Sequence, residues 1–458
     1  MDFARYRPHL AATLSLGLPL VGGHLARMGI NITDTVMIGQ YGVVELAALV
    51  LATSVLFILI MLGSGFGIGV MGLLATANAR DDTTEVRRAT RMALWWSAIH
   101  AVLIMPLLWY SGPILLALGQ GDEISALAQQ YLRIAGWGAG AVLWSMVLNS
   151  YLAAMERTQV VLWLTVAGIP LNVLMNWIFI FGNLGAPELG VRGAAIASII
   201  TQYTALGAIL AYALWLPEAR PIRLMQRFWR PDGPAFRAIF VLGLPVGLTL
   251  VAEVGMFVGT NLMMGWFGAR ELAAHGIALQ LASIAFMFHL GMSNAGTIRA
   301  GRARGLGDPQ MLRDAGATVI WLSVGFALLT GVIFVFLPEP MIALYLKPGD
   351  PDAPAIMQIA VSLMFWAALF QLVDALQVQG LGLLRGVQDT RVPMWLAAIS
   401  YWLIGLPAAW LFAFPLGFGP KGLWIGLMAG LATASVLMLR RFYGGLARGD
   451  WTREPPAR

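Results

Sequence analysis

Three carboxylates lie deep inside long apolar stretches: Asp34, Glu253 and Asp374. The other 20 of the 23 acidic residues fall in loops, in tails or near helix ends. A charge at the bilayer centre costs about 3 kcal/mol or more, so such residues are kept where they face water and act. Together the three would make an acidic interior suited to a positive ion. For each alone, the plainer alternative is a structural hydrogen bond or an internal ion pair. Their neighbours are polar at helical spacing. Gln371, Asp374 and Gln377 recur every three residues, with Phe370 one turn before the acid. Thr249, Glu253, Phe257 and Thr260 form a similar stripe. Arg27, Asn31 and Asp34 follow i, i+4, i+7, which sets Arg27 about 10 Å of rise from Asp34. Two roles for Arg27 stand open, a counter-ion to Asp34 or the partner of another helix.

The elements that carry these residues must be membrane helices. The 458-residue chain is 59% hydrophobic and 11% charged, with mean hydropathy +0.76, more apolar surface than a soluble fold could hide. Apolar stretches of spanning length occur at about 10–38, 44–78, 88–117, 124–154, 159–181 and 191–217, and again at about 238–266, 272–298, 314–338, 353–384, 392–415 and 420–439. The first is too long for a cleavable signal and is expected to be a span. Absence of cysteine excludes disulfides and thiolate chemistry.

The two sets of six repeat each other. A shift of 226 lays Gly17-Leu18-Pro19 on Gly243-Leu244-Pro245 and Glu45-Leu46-Ala47-Ala48 on Glu271-Leu272-Ala273-Ala274, with 14 of 37 ungapped positions identical. Arg157-Thr158-Gln159-Val160 echoes Asp389-Thr390-Arg391-Val392 further on. The expected organisation is an all-α polytopic protein of twelve helices in two pseudo-symmetric six-helix lobes, 1–217 and 238–445. A linker at 218–237 joins them, and a tail follows at 446–458. Parallel repeats of this kind are typical of secondary transporters. Pro19 and Pro245 hold equivalent places and read as paired helix kinks, or as static packing shape.

The net charge of +6 is a matter of orientation rather than of nucleic acid. With both termini in the cytoplasm, 23 of 29 Lys and Arg fall on inner segments, and only Arg192, Arg270, Lys347 and Lys421 on outer loops. Away from span ends, Arg27 and Arg133 are the only two placed within spans. Gly67-x-Gly69-x-x-Gly72 mimics a dinucleotide fingerprint but lies inside a span, so its glycines are read as close-packing positions. The five histidines lack metal-ligand spacing. His24, His100 and His289, inside spans, are read as interhelical hydrogen-bonding residues. No arrangement suggests an enzyme, and no cofactor is expected.

These residues resemble a known group. Asp34-Thr35-Val36-Met37-Ile38-Gly39, Glu253, and Asp374 followed by Leu384-Arg385-Gly386-Val387-Gln388-Asp389 look like the multidrug and toxic compound extrusion (MATE) family, nearest its NorM branch. Ile169-Pro170-Leu171-Asn172-Val173-Leu174-Met175-Asn176-Trp177 and Gly185-Ala186-Pro187-Glu188-Leu189-Gly190 strengthen the likeness, which covers essentially the whole chain. The resemblance implies exchange of sodium or protons for amphipathic, mostly cationic drugs at a bacterial inner membrane. Glu253 and Asp374 would form one cation site, with Na+ as the possible metal. Asp34, Asn172 and Asn176 would form the polar group of the other lobe, with Phe370, Gln371, Gln377 and Arg27 lining the cavity. Phe370 stands where the family commonly has a tyrosine, and Arg27 where a glutamine is usual. The expected partners are small-molecule drugs, the coupling cation and membrane lipids, and a monomer is expected. The alternative is a flippase for lipid-linked oligosaccharide. Its anionic substrate would call for several cavity arginines, whereas this chain places two arginines against three acids.

Overall fold

The computed structural model describes residues 3–217, 221–347 and 349–452. Residues 218–220 of the expected linker and 453–458 of the expected tail lie outside them. Among the described residues there is no strand, and twelve helices are long and apolar enough to cross a membrane. They are α1 (Phe3–Tyr41), α2 (Val43–Ala79), α3 (Thr83–Trp109), α4 (Asp122–Ala154), α5 (Thr158–Phe181) and α6 (Val191–Trp215), followed by α7 (Gly233–Gly265), α8 (Ala269–Leu306), α9 (Pro309–Phe336), α10 (Ala353–Gly386), α11 (Arg391–Ala413) and α12 (Pro420–Arg448). The all-α reading and the count of twelve hold. In hydrocarbon only a helix satisfies its own backbone, so a long apolar run has no other stable form.

Local chemistry sets the helix ends. Asp82 caps α3 by accepting from the Glu85 amide at 2.9 Å, and Asp308 caps α9 by accepting from Met311 at 2.9 Å. The two caps are 226 residues apart, so the ungapped repeat extends to the third helix of each half. Gly307 ends α8 with φ +66°, a conformation that costs glycine little. The expected span 88–117 is broken after Trp109, and a separate helix runs from Ser111 to Ala117. Pro113 accounts for the break, because its ring would clash with the carbonyl four residues back. That carbonyl, of Trp109, instead accepts from Gln129 at 3.0 Å and from Arg133 Nε at 2.9 Å, and Arg133 also lies 5.3 Å over the Trp109 ring. One of the two arginines read as intramembrane charges is thereby accounted for.

By packing, the chain forms two compact units. One joins Met1–Val21 to Leu248–Arg458, and the other is Gly22–Gly247. The expected boundaries at 217 and 238 follow the repeats, whereas the packing divides α1 and α7 along their lengths. Small residues explain where. In the first unit, a Cβ on Gly291 would meet the backbone of Val21 at 2.7 Å, so α1 and α8 touch main chain to main chain. Arg299 on α8 donates to the His9 carbonyl at 2.5 Å and bonds Thr13, and His9 lies 3.8 Å from Asp314. In the second unit, a Cβ on Gly69 would lie 3.1 Å from Gly243 and one on Gly67 3.2 Å from Met146. The close-packing reading of that glycine motif is correct for these two positions. Pro19 and Pro245 both lie inside continuous helices, two residues before the packing partner changes.

The segment before α7 is docked rather than loose. Arg88 pairs with Asp232 at 2.5 Å, Arg91 donates to the Arg230 carbonyl at 2.7 Å, and Trp95 donates to that of Phe228 at 3.1 Å. The Arg88 guanidinium holds the Asp232 carboxyl below its ordinary range. Trp96 stacks on Phe236 at 4.2 Å and donates to its carbonyl at 2.9 Å.

Candidate functional site

Each unit buries one polar cluster around an acid. In the unit Gly22–Gly247, Asp34 on α1 faces α5 and α6. Asn172 and Asn176, both fully buried, stand one turn apart on α5, so both amides reach the same carboxylate. Their Nδ2 groups donate to Asp34 Oδ1 at 3.0 and 2.6 Å. Ser198 on α6 donates to Oδ2 at 3.5 Å. Tyr131 on α4 lies beside Ser198 and within electrostatic reach of Asp34. One acceptor, Asn176 Oδ1, is buried with no donor. The predicted trio Asp34, Asn172 and Asn176 is therefore brought together, and Ser198 and Tyr131 join it. Nothing in the spacing of those two singled them out, because neither helix carries an acid within its apolar stretch.

Arg27 is not part of this cluster. Its side chain is exposed, and Asp34 is held by the amides and the serine instead. The counter-ion role is thus excluded in this structure.

In the other unit, Glu253 on α7 and Asp374 on α10 are 8% and 2% exposed and lie within electrostatic reach of each other. Gln377, one turn after Asp374, donates to the Tyr401 hydroxyl at 2.5 Å, while its own Oε1 is buried without a donor. Tyr401 sits where α11 widens into a π-helical stretch, Ile399–Gly405, just before Pro407. The proline cannot supply the N–H that would continue the α pattern, and a π turn accommodates the gap. Phe370 packs edge-on against Phe257 at 6.1 Å and Trp424 at 5.5 Å, and Trp424 meets His275 in the same manner at 5.5 Å. Aromatic surface thus adjoins the acids, and the ring at 370 is held by its neighbours.

Two expectations need revision here. Gln371 was grouped with Asp374 and Gln377 on one face. Its amide in fact crosses to α8, donating to the Ala282 carbonyl at 3.0 Å and meeting His289 Nε2 at 3.2 Å. It braces two helices, because a side chain three residues from the acid already points towards a different neighbour. The intramembrane arginines are also more numerous than expected, because α8 and α10 run past the expected spans over Arg299 and Arg385, and Arg91, near the start of the expected span 88–117, is buried within α3. Arg385, within α10, is 6% exposed and lies within electrostatic reach of Glu253 and Tyr401. Arg299 and Arg91 are also buried inside helices, but both are occupied by backbone carbonyls. Of the histidines, His100 bonds the Leu59 carbonyl at 2.9 Å and His289 bonds Gln371, as interhelical residues would.

Chemically, each cluster offers carboxylate and amide oxygens in a buried setting, with one amide oxygen lacking a donor. Oxygen donors without hydrogen-bond partners suit a hard cation.

Comparison with known proteins agrees with this architecture. The sequence profile of the MatE family matches residues 19–178 and 245–411, once in each repeat. A Rhizobium meliloti (strain 1021) protein named "Probable multidrug resistance protein NorM" is 45% identical over 440 residues, covering 96% of this chain and 94% of its own. Its Agrobacterium fabrum namesake is 43% identical, covering 95% and 93%. Among solved structures, a multidrug resistance MATE family transporter in an outward-facing conformation superposes with TM-score 0.85 at 22% identity, covering 98% of this chain and 97% of its own. A MOP superfamily transporter from Pyrococcus furiosus gives 0.87 at 22%, with the same coverage. The fold recurs in those structures, the family profile spans both halves, and the chain belongs to the MATE family.

Proposed function

We propose that this protein is a cation-coupled exporter of amphipathic, mostly cationic compounds across the inner membrane, with both termini in the cytoplasm. The observation that carries the reading is the pair of buried acidic clusters, each with an amide oxygen left without a donor. A coupling ion enters at Glu253 and Asp374 and neutralises them, and a drug held by carboxylate and aromatic surface is then released. The lobes turn by alternating access, the ion leaves inside, and the next drug binds. The relatives named as multidrug resistance proteins support export as the task. Two buried acids beside one buried Arg385 fall one positive charge short of neutrality, which favours a single monovalent cation per cycle. Where the exchange moves one net charge inward, 100 mV supplies about 2.3 kcal/mol, enough for a drug gradient of roughly fifty-fold, whereas a one-for-one exchange with a monocationic drug draws only on the concentration gradient of the ion.

Sodium fits the site better than a proton, because a proton needs one carboxylate and makes no use of spare amide oxygens. In proteoliposomes with sodium and pH gradients imposed independently, ethidium movement is expected to follow the sodium gradient. Movement that ignores sodium and follows pH would assign the coupling to protons.

The flippase reading gains nothing from the additional arginines. Arg91 and Arg299, like Arg133, are committed to carbonyls and Arg385 lies within electrostatic reach of an acid, which leaves Arg27 as the one exposed arginine among them, fewer than the several an anionic lipid-linked substrate calls for.

Asp34→Asn should lower export by about tenfold without unfolding the protein. The site retains its shape and a carbonyl acceptor but loses the negative charge that strengthens these bonds. A fully active variant would remove this acid from the cycle.

A further inference from the structure

The second half of α1 exposes two faces of opposite character. Leu25, Ile32 and Val36 are 42%, 51% and 52% exposed and share one face. Arg27, Asn31 and Thr35 are exposed on another, with half-buried His24 above them. At 3.6 residues per turn the two stripes are centred about 120° apart. The first is what lipid requires. A face carrying a guanidinium and an amide in mid-span requires water. Arg27 lies about 20 Å of helix rise from Tyr41, too far for an arginine stem to reach the membrane surface. Among the described residues, no acceptor pairs with it. The 226-residue shift that aligns the repeats also lays Arg27 on Glu253, so equivalent places in the two halves carry opposite charges.

We propose that Arg27 is an anion-reading subsite of the exporter, selecting amphipathic zwitterions over plain cations. Seven residues separate it from Asp34, a rise of about 10 Å. The substrate class is therefore a compound whose amine meets Asp34 while a carboxylate or similar anion, about 10 Å away, meets Arg27. This deepens the exporter reading and rests on it. A bidentate guanidinium–carboxylate contact fixes orientation as well as affinity.

The test uses one scaffold with and without its anion: a zwitterionic fluoroquinolone and its methyl ester, with the full-length protein in lipid nanodiscs for binding and in proteoliposomes for export. Wild type should bind the acid about tenfold more tightly than the ester. Arg27→Gln should abolish that preference and tighten binding of the ester, which no longer meets a like charge. Arg27→Lys, which keeps the charge, should retain most of the preference. The proposal is overturned if wild type binds acid and ester equally, or if Arg27→Gln keeps the preference or weakens both ligands alike. Failure of wild type to export either compound would instead sink the exporter reading, and this inference with it.

Discussion

Glu253→Gln and Asp374→Asn should each reduce energised ethidium export by on the order of 100-fold, a loss of about 2.7 kcal/mol, while leaving folded protein in the membrane. Each amide matches its acid in size, so the packing around Phe257, Phe370 and Trp424 is preserved. What disappears is the negative charge that draws the cation in and that its binding neutralises. Thermal stability in detergent should hold or rise, because a neutral amide is cheaper to bury than a carboxylate. That split, stable protein with no transport, separates a working site from a structural one. Near-normal export by both variants would dismiss the site; loss of export together with loss of folded protein would mark the acids as structural.

Gly247→Ala should destabilise the protein by about 1–3 kcal/mol, although alanine is intrinsically the better helix former by about 1 kcal/mol. A Cβ at 247 would sit 2.1 Å from the carbonyl oxygen of Leu62, and one on Gly65 2.3 Å from the Gly247 nitrogen. These are main-chain contacts, so no rotamer change relieves them and α2 and α7 must separate. Gly276→Ala supplies the control, since nothing lies within 4 Å of a Cβ there and the residue is exposed on α8. Its melting temperature should stay level or rise. Equal behaviour of the two variants would show that the α2–α7 approach has room to spare.

The particular residues show what could be read beforehand. Asp34 announced itself because an acid among apolar residues is rare, whereas Asn172 and Asn176 entered only through the resemblance to the family. Tyr401 gave no such signal. Its role depends on a π-helical stretch ahead of Pro407, and on Gln377 arriving from another helix. Arg385 was hidden by its position at an apparent helix end, since hydropathy measures the lipid-facing length and α10 runs beyond it. Gln371 failed in the opposite direction. Three-residue spacing groups side chains on a helix, but only the neighbouring helix decides what an amide bonds.

By itself the sequence determined the solvent, the number of spans, the duplication and the acids worth watching. Those properties are local: hydropathy along a run, spacing on a helix, and identity at a fixed shift. Tertiary structure decided which helices share a unit, why α1 and α7 are divided part-way along, and which polar atoms are left without partners. Those outcomes depend on contacts between residues hundreds of positions apart, where a glycine opposite a carbonyl or an asparagine opposite an acid carries no mark in either segment alone.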